Sequence, residues 1–113
     1  MPTRYYLALP DPTRARGDAA VSFTAHGAEE FAVQLQDALR TRSLFERWRN
    51  TQADPDDIDD TLAAIDPEAT VTGVQHAQRV DLVATTSLPG NILKHRLRLL
   101  AGNGWELRDV TSA

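Results

Sequence analysis

The stretch "TVTGVQHAQRVDLVATTSL", Thr70 to Leu88, decides the fold of this chain. It is rich in β-branched residues, which suit a pleated, half-buried surface. Val80, Leu82 and Ala84 alternate with Asp81, Val83 and Thr85. A period of two places one set against a core and the other on the opposite face of a sheet. The pattern predicts two strands, about 70–76 and 79–86, with a turn near Ala77 and Gln78; one long bent strand is the alternative.

Downstream, "SLPGN" (Ser87 to Asn91) reads as a loop with Asn91 as helix N-cap. "ILKHRLRLLA" (Ile92 to Ala101) then reads as a helix closed by Gly102. After the tight turn "GNG", "WELRDV" (Trp105 to Val110) alternates imperfectly as a last strand. Leu97 to Val110, through Leu99, Leu100, Gly104, Trp105, Glu106 and Leu107, resembles the helix-turn-strand segment of DUF4177-like bacterial domains of unknown function. The resemblance covers about an eighth of the chain and implies a local fold but no catalytic residue.

Upstream lies "ADPDDIDDTLAAIDPEA", Ala53 to Ala69, with six aspartates and one glutamate. Pro55 suits the first position of a helix and Asp54 its N-cap, with Asp56 and Asp57 favoured by the positive end of the helix dipole. Ile58, Leu62 and Ile65 then form one apolar stripe ending at Asp66-Pro67. A calcium loop fails in this register. It would need an oxygen ligand at Ile58, glycine at Asp59 and glutamate at Ile65.

Nearer the N-terminus, "RYYLAL" (Arg4 to Leu9) reads as a strand ending at Pro10. Val21, Phe23 and Ala25 alternate with Ser22 and Thr24, predicting a second strand over Ala19 to His26, hairpin-paired with the first. Phe31, Leu35, Ala38 and Leu39 mark an amphipathic helix from Ala28 to about Thr41. "SLFE" (Ser43 to Glu46) has the spacing of a capping box and starts a further helix or a kink.

The expected order is β-β-α-α-α-β-β-α-β, an α+β class in one domain over 1–113. It implies a largely antiparallel sheet of about five strands with helices on one face. The final β-α-β can bring two neighbouring strands parallel.

Composition narrows the function. With 113 residues and no cysteine, the chain has no thiolate nucleophile and no cysteine-type metal site. No apolar run follows Met1 and no stretch has membrane-span length, so a cytoplasmic protein is expected. Eleven of twelve basic residues are arginine, a bias that suggests a GC-rich bacterial genome. The net charge of −4 is uneven. Seven acidic and no basic residues lie between Asn50 and Gln78, against twelve basic and nine acidic elsewhere. Nucleic acid, which wants a broad positive face, is not favoured.

No nucleophile elbow, phosphate loop or zinc-protease motif is present. His26, His76 and His95 are scattered; His26 and His76 lie at strand ends and could converge, but local or solvated roles are favoured, and the acidic residues cluster at one helix start rather than across a cleft, so no catalytic residue, metal or cofactor is assigned. Arg16-Gly17-Asp18 reads as turn chemistry.

Two surfaces remain. Arg40, Arg47 and Arg49 surround Phe45 and Trp48, the composition of a protein interface; Phe45 is expected in the core, with Trp48 open between core and surface. Asn91, Lys94, His95 and Arg98 share the basic side of a helix whose start suits an anion. The leading expectation is therefore a non-catalytic binding or adaptor domain acting through protein contacts at 40–49 and a sheet edge, with a homodimer as one form of it. Anion binding at 91–98 stands second and an enzyme third.

Overall fold

A computed structural model describes residues 2–113. Its strands are β1 (Thr3–Leu9), β2 (Thr70–His76), β3 (Arg79–Thr86) and β4 (Glu106–Ser112). Its helices are α1 (Ala28–Arg40), α2 (Ser43–Arg49) and α3 (Gly90–Ala101). Three short 3-10 turns, Pro12–Arg14, Pro55–Asp57 and Asp60–Ala63, complete it.

The two strands expected between 70 and 86 form with those boundaries, joined by a tight turn in which Ala77 takes φ of 52°. The sheet has four strands, not five, in the order β2-β3-β1-β4. Every neighbouring pair is antiparallel. β3 and β4 do run the same way, but β1 lies between them, so the expected parallel neighbours are not formed. The same holds for β1 and β2 around β3. Two interleaved, split β-α-β units of this kind make the ferredoxin-like connectivity.

Alternation along β1 and β3 sends Tyr5, Leu7, Leu9, Val80, Leu82 and Ala84 to one face. Phe31, Leu35 and Leu39 of α1 and Ile92, Leu93, Leu97 and Leu100 of α3 join them in one core cluster. The helices thus cover one face only, as the class requires. Gly102 ends α3 with φ of 58°, a left-handed conformation that glycine adopts without a Cβ clash.

The segment expected as a second strand is not one. Val21, Phe23 and Ala25 are buried as the alternation implied, and Phe23 meets Phe31 edge-on at 4.9 Å. Its main chain, however, pairs with no strand. Phe23 N–H donates to the Leu100 carbonyl at 2.8 Å, and Thr24 N–H donates to Gln34 Oε1 at 3.0 Å. The Arg16 guanidinium donates to the carbonyls of Phe23 and Ala25. The apolar period reported burial, while side chains and a helix end took the backbone groups a strand would have used.

The helix expected over 55–65 also fails, and is replaced by two 3-10 turns. Asp54 makes no side-chain cap; Asp59 caps the second turn through Thr61 N–H. Tertiary partners explain the break. Arg96 takes the carbonyls of Leu62 and Ala64, and Leu39 takes the N–H of Asp66. Those groups are then lost to an i to i+4 ladder. Ile58 and Leu62 are half-buried and Ile65 is exposed, so the stripe never becomes one buried face.

Helix α2 starts at Ser43 as expected, but without the capping box: Glu46 pairs with Arg42 at 3.0 Å instead. The N-cap of α3 is Pro89, whose carbonyl receives the N–H groups of Ile92 and Leu93. Asn91 lies exposed in the first turn and is not the cap.

Candidate functional site

The arginine-rich stretch 40–49 is largely committed to the chain itself. Arg40 Nε donates to the Ala69 carbonyl at 2.6 Å. Arg49 Nε donates to the Pro55 carbonyl at 3.0 Å, and its guanidinium lies 3.5 Å from Asp56. The acidic segment is thus partly tied to the basic one. Phe45 is buried, while Trp48 is half-buried, tilted against the Phe45 ring at 5.7 Å and edge to face with His95 at 4.6 Å. Of the four expected interface residues, Arg47 alone remains on the surface, at a hollow of about 330 Å³ that it shares with Asp37, Gln34 and Thr24.

The basic helix divides as well. Asn91, Lys94 and Arg98 are exposed, whereas His95 turns onto Trp48. Burial of the imidazole, with Arg96 and then Arg98 beside it, lowers the His95 pKa from its ordinary value. A neutral imidazole packed on an indole adds no positive charge to an anion site. Arg98 stands in the last turn of α3, where the helix dipole is negative. The helix start and Arg98 therefore lie at opposite electrostatic ends.

Arg96, in the middle of α3, is fully buried. Its guanidinium donates to the carbonyls of Ala38 at 3.3 Å, Leu62 at 2.6 Å and Ala64 at 2.9 Å. Its Nε has no partner, and burial lowers its pKa. The cation sits against the C-terminal turn of α1, where carbonyls lack helical partners. Asp66 is the matching buried anion. It accepts from Thr86 Oγ1 at 2.8 Å, Ser87 N–H at 2.9 Å and Glu68 N–H at 3.0 Å. Burial alone would raise its pKa; the bonds from Ser87, Thr86 and Glu68 outweigh that and lower it. Both residues are structural ties that fix the lead-in to β2.

What stays open is the face of the sheet opposite the helices. The registers place Tyr6 beside Val83 and Thr72 in one row, with Ala8, Asp81 and Val74 in the next. A concavity of about 480 Å³ runs over this face, lined by Tyr6, Thr72, Val74, Val83, Asp81 and Arg108 among others. At one end Arg79 Nε and His76 Nε2 approach Asp81 at 2.9 and 3.4 Å. Among the described residues no group of three or more His, Cys, Asp or Glu is arranged to hold a metal ion, and no helix is long and apolar enough to cross a membrane.

No family model, no curated protein and no solved structure matches this chain. The sequence pattern missed this face because Tyr6, Val74 and Val83 belong to three strands whose order only the pairing reveals. The usable signal was the apolar residue on the polar phase of a strand, Val83 between Asp81 and Thr85.

Proposed function

We propose that this chain is a non-catalytic binding module that docks a protein partner on the β2 side of its sheet. One observation carries the reading. The uncovered face holds an apolar centre of Tyr6, Val74 and Val83, edged by the Asp81 clamp and by Arg108. Aromatic and aliphatic residues within a polar rim are the make-up of protein interfaces. Nucleic acid fits less well. Modules that read RNA on such a sheet stack bases on several aromatics. Here Tyr6 is the one Phe, Tyr or Trp on the face among the described residues, the His76 imidazole lies against Asp81, and Tyr6 pairs with Asp109 on a strand that also carries Glu106.

The test is photo-crosslinking in the cell of origin, with a diazirine side chain at position 83 and, separately, at position 47. A protein adduct from 83 and none from 47 supports docking on the sheet. Adducts from 47 alone would contradict it and return the interface to α2.

A further inference from the structure

The two edges of the sheet differ in a way that bears on what can dock there. The edge of β4 is blunted: its register with β1 slips between Tyr6 and Leu7, and Glu106, Arg108 and Asp109 load it with charge. Bulges and charges of this kind prevent strand addition. β2 has neither. It pairs with β3 over all seven residues without a shift, and carries no Asp, Glu, Lys or Arg.

Helix α1 closes the first half of the β2 edge. Gln36 Oε1 accepts from Val71 N–H at 3.0 Å, and Arg40, one turn on, donates to the Ala69 carbonyl. The main-chain groups of Ala69 and Val71 therefore point away from β3. In an antiparallel ladder the direction alternates, so those of Gly73 and Gln75 point the same way. Among the described residues no protein group hydrogen-bonds to them there, although the Ala28 carbonyl at the start of α1 packs against Gly73 on the helix side. Instead a shallow groove of about 620 Å³ lies along them, walled by the start of α1 with Glu29 and Glu30. The groove lining holds two carboxylates and no cation. Val74, 53% exposed, lines the groove, and Val33, 64% exposed, lines a neighbouring hollow with the same Glu29 and Glu30.

We propose that the open half of β2, Gly73 to His76, takes an extended peptide as a fifth strand, with Glu29 and Glu30 holding basic side chains on its inner side. This deepens the binding-module reading and rests on it. Main-chain bonds to Gly73 and Gln75 supply the pairing, and alternate side chains supply the choice. Apolar residues of the guest on the other phase extend the row begun by Val74. A second copy of this chain is the poorer guest, because a two-fold axis at this edge sets Glu29 and Glu30 of both copies against each other.

The probe is a labelled heptapeptide, Thr-Val-Lys-Thr-Lys-Val-Thr, read by fluorescence polarisation and by amide chemical shifts. The expected result is saturable binding with shifts at Gly73 to His76. Exchanging both lysines for glutamate, or N-methylating the pairing amides, abolishes it. The double variant Glu29→Lys, Glu30→Lys weakens binding about tenfold or more, as attraction becomes repulsion at two exposed sites. Equal binding of the N-methylated peptide, shifts confined to Tyr6 and Val83, or no binding overturns the proposal. So does self-association that protects Gly73 and Gln75 in the free protein. If Val83 still crosslinks a partner in those cases, the binding-module reading stands without this edge; if neither experiment responds, both fall.

Discussion

β2 and β4 are both edge strands of seven residues, yet they are held by opposite means. β4 leans on β1 and little else: all seven residues are exposed, and its ends are tied by Trp105 Nε1 to the Gly102 carbonyl and Ala113 N–H to the Pro2 carbonyl. β2 is entered through buried polar groups, Arg96 holding residues 62 and 64, Asp66 holding the end of β3, and Arg40 and Gln36 reaching down from α1. The lesson is that a strand can be anchored firmly at one end so that its other end stays straight and unpaired.

Breaking those anchors should have graded effects. Arg96→Ala leaves three carbonyls without their donor and a cavity in the core, and we expect a loss of about 3–5 kcal/mol in urea unfolding. Arg98→Ala, two residues on but solvated, should change stability by less than about 0.5 kcal/mol. Equal effects would erase the distinction between the two arginines.

Asp66→Ala removes three hydrogen bonds to one carboxylate, for an expected loss of about 2–3 kcal/mol at neutral pH. The sign with pH follows from its lowered pKa. The carboxylate stabilises the fold fully above the ordinary value of about 3.9, and that contribution is lost as pH falls through the lower folded value. Asp66→Asn should therefore lie closer to the parent in strong acid than at pH 7, measured by thermal unfolding across pH.

Gly73→Ala tests how tightly α1 crosses β2. An added Cβ would run into the Ala28 carbonyl oxygen, with Leu82 Cδ2 at 3.2 Å, so backbone must shift. Overpacking of this sort costs about 1–3 kcal/mol, read from the same urea curves. Arg40→Ala should cost less, about 1 kcal/mol, because the bond it loses is partly solvated. Its sharper consequence is to free the Ala69 carbonyl at the entry to β2, while Gln36 still covers Val71 N–H.

The sheet was legible where side-chain alternation and hydrogen-bond partner coincide, as in residues 70–76 and 79–86. Val21, Phe23 and Ala25 carried the same alternation, but Arg16, Gln34 and Leu100 took their backbone groups, and no period reveals that. The Ile58, Leu62 and Ile65 stripe obeyed the helical spacing and lost to Arg96 and Leu39 for its carbonyls and N–H groups. Arg40 and Arg49 read as surface because the reach of a guanidinium to a distant carbonyl leaves no trace in local spacing. The half-open edge of β2 needed the strand order and the placement of Gln36, so nothing in the chain announced it.

Native-state hydrogen exchange by NMR tests that half-open edge most directly. Gly73 and Gln75 amides should exchange far faster than their neighbours Thr72 and Val74, which face β3, while Val71 stays slow behind Gln36. Uniform protection from Val71 through Gln75 would mean the edge is closed, and the account of β2 would be wrong.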